Sequence, residues 1–353
     1  MSGPALRVLR AGPAVTVQDA GRFGRQRFGV SPAGPMDPWA FALAARLAGG
    51  PEPASGLELG PGPLELEVEA ERVRIGLAGA PRAVAVDGLP RPFWSALELA
   101  RGQRLALGAA ARGVWSYLVV AGGFALPAVL GSLATHTLSG IGGLAGRALR
   151  ALDLLPLAAA EAAAGRPELA LAEPPAEEPG PIRVILGPQE AWFTAEGIAT
   201  FLGAEWRVSA RSDRMGYRLE GPKIAHARSP NIVSDGIVFG SIQVPGMGQP
   251  IVLLADRQST GGYPKIATVI TADLGRLAQV PAGSSLRFAA IDPAEARRAR
   301  SLARQRLEQA CARLVPVAAA GRLEAGFLLS VNLVSGVTAG EPEPPPRSGC
   351  VGP

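Results

Sequence analysis

The sequence predicts a mainly β protein, built from barrel-like or sandwich units with few helices. Many short apolar or alternating runs follow one another at irregular spacing. Turn residues separate them, with Gly 45 and Pro 33 spread along the chain rather than pooled. No strand–helix–strand alternation of a parallel α/β fold is present.

The elements follow in order. Residues 5–9 alternate as a short strand, and Val15 to Asp19 starts another that ends in the polar turn Ala20-Gly21-Arg22-Phe23-Gly24-Arg25. Asp37 before Pro38 is the expected N-cap and first residue of a helix, which Gly49-Gly50-Pro51 stops. Leu57-Glu58-Leu59 and Leu64 to Ala70 alternate as half-exposed strands. Strands are expected at Val73 to Ala78 and Ala83 to Val86, with Asp87-Gly88 as a hairpin turn, then at Leu105 to Leu107 and Val114 to Ala121. Residues 131–146 form a Gly/Ser/Thr-rich loop holding His136.

Between 158 and 181 the composition shifts to Ala, Glu and Pro, which marks the best domain boundary or else a surface loop. Expected units are 1–175 and 176–290, a C-terminal helix over 291–320 and a flexible tail over 321–353. In the second unit Ile182 to Leu186 is a strand, Gln189 to Phe201 a helix and Trp206 to Ser209 a strand. Asp292-Pro293 caps the last helix, with Leu302, Leu307 and Leu314 on its apolar face.

Composition excludes several classes. The charge of +5 is carried almost wholly by arginine, with no basic run shaped like a nucleic-acid stripe and few aromatics for base stacking. Cys311 and Cys350 have neither CxxC nor Cys/His neighbours, so neither a disulfide framework nor a structural zinc site is expected. His136 has no nearby Cys, Asp or Glu and is expected to be a surface or bridging histidine rather than a metal ligand. With no apolar run of membrane-spanning length and no signal-peptide pattern, the expected location is the cytoplasm.

Polar chemistry concentrates in three turns. One holds Gln18, Asp19, Arg22 and Arg25; a second runs from Arg211 to Leu219. The densest is QVPGMGQPIVLLADRQSTGGYPKIAT at 243–268, a buried strand that ends in a glycine-rich loop with Asp256, Arg257, Gln258, Ser259, Thr260, Tyr263 and Lys265. Strands ending in such loops are how a rigid scaffold presents a site.

Taken together, TVQDAGRFGRQRFGV at 16–30, SYLVVAGGF at 116–124, GIGGLAGRAL at 140–149, SDRMGYRLEG at 212–221 and the run from Gln243 to Val280 resemble the biotin-dependent carboxyltransferase family. That family includes the C component of 5-oxoprolinase, allophanate hydrolase subunit 2-like proteins and the KipI antagonist. The resemblance spans about residues 6–310 and implies two cyclophilin-like β-barrel domains. It implies a cytoplasmic hetero-oligomer with a KipI-like B component and an A component, opening 5-oxo-L-proline to L-glutamate at the expense of ATP. Two alternatives remain: carboxyl transfer to urea or another amide, or a regulatory binding module for a KipI-like protein. The chain contains no P-loop and no biotin-attachment motif, so ATP is expected on a partner, and biotin would belong only to the carboxyltransferase alternative, on another protein.

For such chemistry a site must polarise a carbonyl and manage protons. The candidates are Asp256 and Asp19 for acid/base or amide-anchoring roles and Lys265 as a charge stabiliser. Arg22 and Arg214 would hold a carboxylate, and Gln243 and Gln258 an amide. Ser259, Thr260, Gly261 and Gly262 would form an anion nest beside Tyr263. No metal ligand is expected. The three turns are expected to converge on one wall of a composite site that is completed by a partner protein.

Overall fold

Strand alternation fixes the first half of the molecule. In Leu64–Val68 every second side chain is buried, and in Arg82–Val86 the pattern repeats. The computed structural model describes residues 3–49, 54–158, 165–176 and 178–317; the expected tail over 321–353 and Cys350 lie outside them. Among the described residues, the first six-stranded sheet runs in the order Leu154–Pro156, Ala5–Ala11, Leu64–Val68, Arg104–Ala110, Arg82–Val86, Leu89–Arg91. A seven-stranded sheet runs Val15–Gln18, Ser55–Leu59, Ser116–Val120, Arg72–Gly79, Ser95–Ala100, Leu169–Leu171, Leu314–Pro316. One apolar core joins these two sheets, with Leu6, Val8, Val17, Leu57, Leu66, Ile75 and Leu118 among its members.

The seven-stranded sheet is buried on its second face as well. Helix α1 (Pro38–Ala48) lies there, and Ala78, Ala96, Tyr117 and Val119 join a different core that continues into the second half. Gly76 is needed beneath this helix, because a Cβ would strike the backbone of Ala44 and Ala48. Asp37 caps α1 by accepting from Ala40 N at 3.0 Å, Pro38 sits in the first turn, and Gly49 closes the helix at φ 69°.

The second half forms an eight-stranded sheet: Ser285–Leu286, Trp206–Val208, Gly216–Glu220, Ile251–Leu253, Ser241–Gln243, Lys265–Val269, Ile182–Leu186, Phe288–Ala290. Its two outermost strands are separated in sequence by Arg287 alone, so the sheet curls into a nearly closed barrel. Helices α2 (Ala195–Gly203) and α3 (Leu274–Ala278) flank it. A two-stranded ribbon, Asp235–Gly236 with Thr260–Gly261, stands apart from the sheets.

Three local expectations change. The helix expected over 189–201 is a short 3-10 turn, Glu190–Trp192, followed by α2, because Thr194 caps the later start by accepting from Gly197 N. The composition shift at 158–181 contains a strand, Leu169–Leu171, paired with Ser95 and Ala96. The C-terminal helix α4 spans Pro293–Ala312 behind an Asp292/Glu295 capping box, then gives way to a strand, Leu314–Pro316, that pairs back onto Leu169–Leu171. Leu314 therefore lies on a strand, and Leu302 is 51% exposed rather than part of an apolar face.

A buried carboxylate ties the barrel together. Asp273 receives the Arg183 backbone N–H at 2.8 Å, the Nε and Nη2 fork of the Arg183 guanidinium at 3.0 and 2.6 Å, and Arg276 Nη1 at 2.9 Å. Burial pushes its carboxyl up, but these donors outweigh burial and hold it below the usual range. A depressed carboxyl contributes stability that is present above the unfolded-state pKa and lost as pH falls through the folded one. Asp273→Asn is therefore expected to cost about 3 kcal/mol near neutral pH, as breaking a buried pair does. The loss should shrink on acidification; urea unfolding at pH 7 and in the acid range checks both.

Candidate functional site

The site grows from one face of the seven-stranded sheet. Val15 and Val17 point into the first core, so Thr16 and Gln18 point the other way. Thr16 stands opposite Glu58, and Glu58 opposite Tyr117, so a polar row crosses three strands. Glu58 is fully buried, which corrects the half-exposed strand expected at 57–59: the face it occupies is covered by a second layer.

Glu58 is the hub of a charged network between the two halves. Its carboxylate accepts from Arg214 Nη1, from Tyr117 Oη at 2.9 Å and from Met36 N at 2.7 Å. Arg214 also forks onto Asp256, with Nε to Oδ2 at 2.9 Å and Nη2 to Oδ1 at 3.0 Å, and Nη2 reaches Gly34 O at 2.8 Å. Tyr117 Oη accepts from Asp37 N at 2.7 Å; burial raises its phenol well above the ordinary value and keeps it a neutral donor. Asp37 is buried too, which pushes its carboxyl up, while Gln279 donates to it at 3.0 Å. The close fit explains Gly275, where a Cβ would collide with the Asp37 carboxylate.

The turn after Gln18 grips the loop at 131–146. Asp19 accepts from Gly21 N at 2.9 Å, Ser132 Oγ at 2.6 Å and Leu133 N at 2.6 Å. Arg22 is 1% exposed; its Nη2 donates to Ala134 O and its Nε to Val129 O at 3.4 Å. Burial lowers the Arg22 pKa, countered by the charges of Asp19 and Asp256. Two buried atoms of this turn have no hydrogen-bond partner, Gln18 Oε1 and Arg22 Nη1. His136, in the same loop, places Nε2 at 3.3 Å from Asp256 O, a bridging role between the halves.

A neighbouring cluster surrounds Lys265, which is 2% exposed. Its Nζ donates to Asp235 Oδ2 at 2.5 Å and to Gly236 O at 2.9 Å. Gln189 donates to Asp235 at 3.1 Å and accepts from Lys265 N at 3.1 Å. Hydrogen bonds from Lys265 and Gln189 hold the Asp235 carboxyl below its ordinary value. Gln243 donates to Tyr263 O at 3.2 Å. Just beyond Gly236, Ile237 O accepts from both Gln26 Nε2 and Arg257 Nε.

The structure thus brings together Asp19, Arg22, Arg214 and Asp256, with His136 and Glu58. Lys265 and Gln243 form the adjoining cluster with Asp235. Gln258, Thr260 and Tyr263 are exposed and Ser259 is half-buried. Thr260 and Gly261 lie extended in the ribbon, opposite Gly236 and Asp235, and neither Gly261 nor Gly262 takes the positive φ of an anion nest, so that expected feature is not formed. Glu58, Tyr117, Gln279 and Asp235 are partners that sequence patterns did not single out.

Among the described residues no group of three His, Cys, Asp or Glu side chains is placed to hold a metal ion. No helix among them is long and apolar enough to cross a membrane. The glycine-rich loop uses several of its amides on itself, Gly140 N to Thr137 O, Gly143 N to Leu133 O and Gly146 N to Gly142 O.

The chain spans 88% of itself in superposition with the Kluyveromyces lactis urea carboxylase structure, with a TM-score of 0.79 and 28% identity, and covers 29% of that longer chain. Residues 28–290 match the family described as carboxyltransferase domain, subdomain A and B, and the protein belongs to that family. It is 38% identical over 315 residues to the C component of the Escherichia coli 5-oxoprolinase, covering 88% of this chain and 98% of that protein. It is 37% identical over 293 residues to the C component of the Haemophilus influenzae 5-oxoprolinase, covering 83% and 93%.

Proposed function

We propose that this chain is the C component of a cytoplasmic, ATP-dependent 5-oxoprolinase, opening 5-oxo-L-proline to L-glutamate together with homologues of the A and KipI-like B components. Similarity along nearly the whole length of the E. coli protein supports this reading. The observation that carries the site is Arg22 Nη1, a buried guanidinium nitrogen with no protein acceptor, on a side chain under the charges of Asp19 and Asp256. A charged donor so placed suits a substrate oxygen.

The roles of the carboxylates narrow. Both Asp256 oxygens receive Arg214, and both Asp19 oxygens receive donors of the turn and of the loop at 131–146. We therefore assign them positioning rather than proton transfer. Arg214 has four of its five N–H groups engaged, so it holds the seam together while Arg22 faces substrate. Lys265 uses two of its three N–H groups on Asp235 and Gly236, and the third serves as the charge stabiliser. ATP is handled by a partner protein.

The test is co-expression with the A and B component homologues of the same genome. Glutamate release from 5-oxoproline with ATP is expected from the assembled complex and is expected to vanish when this chain is omitted. Undiminished release without it would remove the assignment.

A further inference from the structure

The two unpartnered atoms in the Gln18–Arg22 turn differ in kind. Gln18 Oε1 is an acceptor and Arg22 Nη1 a donor, and both are buried. The orientation of the Gln18 amide follows from its partners. Thr135 O, at 3.2 Å, can only accept, so the amide nitrogen must face it and the oxygen must face away. Thr16 Oγ1, at 3.0 Å from the same nitrogen, holds that orientation. Both side chains are anchored on neighbouring carbonyls, Gln18 on Thr135 O and Arg22 on Ala134 O. Two side chains anchored on consecutive carbonyls thus each keep one buried polar atom unpartnered.

An acceptor and a donor left without partners cost stability, and a fold tolerates them where something else supplies the bonds. A ring-locked cis amide offers that complement, since its N–H and C=O lie on one edge. We propose that Gln18 and Arg22 together read the amide edge of the lactam: Gln18 Oε1 accepts the ring N–H and Arg22 Nη1 donates to the ring carbonyl oxygen. This deepens the 5-oxoprolinase assignment and rests on it. It makes Gln18 a residue that sets specificity, a role separate from holding the substrate carboxylate.

Both atoms are buried, so binding includes an opening of the structure around them. The construction of the loop at 131–146 allows little between it and the arginine: a Cβ on Gly142 would collide with Ala134 O and Arg22 Nη2, and Gly142 sits at φ 73°. The loop closes directly on the guanidinium.

The test uses the assembled complex and 3-oxocyclopentane-1-carboxylate, which keeps the ring carbonyl and carboxylate but replaces the N–H by CH2. Its inhibition constant in the wild type is expected to exceed the KM for 5-oxoproline at least tenfold, because the Gln18 oxygen meets no donor. Gln18→Met is expected to raise the KM for 5-oxoproline and shrink that ratio below threefold. Arg22→Lys, which weakens the carbonyl contact common to both compounds, is expected to leave the ratio unchanged. The ratio does not depend on how much variant folds, and the wild-type measurement stands alone if Gln18→Met fails to assemble. Equal affinity of the wild type for the two compounds, or an unchanged ratio in Gln18→Met, overturns the proposal. Absence of 5-oxoproline turnover by the wild-type complex instead removes the underlying assignment, and the proposal with it.

Discussion

Arg214→Met lowers the stability of the chain by about 3–5 kcal/mol, the cost of stranding buried charges by removing their partner. Arg214 is 8% exposed and bridges two carboxylates that are themselves buried, Glu58 at 0% and Asp256 at 3%. Methionine fills much of the same volume, so the loss is electrostatic rather than a cavity. Without the guanidinium, Glu58 keeps Tyr117 Oη and Met36 N, but Asp256 loses the fork on both its oxygens. Because the network spans the seam, from Gly34 and Glu58 to Asp256, the loss should loosen the Asp19–Arg22 turn as well. Urea denaturation of the isolated chain measures the first effect. A destabilisation below about 1 kcal/mol would mean that the network is solvated like a surface pair.

Arg22→Lys raises the KM for 5-oxoproline in the assembled complex by about 10- to 100-fold, the equivalent of one charge-assisted hydrogen bond. Lysine keeps the charge but loses the fork that lets one guanidinium hold Ala134 O and still offer Nη1. Turnover at saturating substrate should fall much less, since the interaction is made with bound substrate and transition state alike. Steady-state kinetics separate the two; a fall in kcat alone, with KM unchanged, would place Arg22 outside substrate binding.

Much of the fold was legible because local signals and tertiary context agree. Asp37-Pro38, Gly49, and the alternation of Leu64–Val68 mean in the structure what they mean in sequence. The same alternation misled at Glu58. Period two says which residues share a face, but not whether that face meets water or a second layer, and α1 with the second half covers it. The row Thr16–Glu58–Tyr117 needs strand pairing to be seen, since its members are far apart in the chain.

The dense polar stretch at 243–268 proved to serve two purposes. Asp256 joins the seam, whereas Lys265 turns to Asp235, a residue of the short ribbon with no distinguishing sequence pattern. Gln258, Thr260 and Tyr263 follow neither and are exposed on the intervening segment. The unpartnered atoms of Gln18 and Arg22 depend on how the loop at 131–146 closes, and composition says nothing about that.

Whether the chain works on the lactam rather than on urea is read most directly from ATP hydrolysis. The chain is assembled with its A and B component homologues, and 5-oxoproline or urea is the added amide. ADP formation is expected to rise with 5-oxoproline, with one glutamate appearing per ADP, and to show no response to urea. Urea-dependent carboxylation that avidin blocks, with no 5-oxoproline consumed, would contradict the lactam assignment.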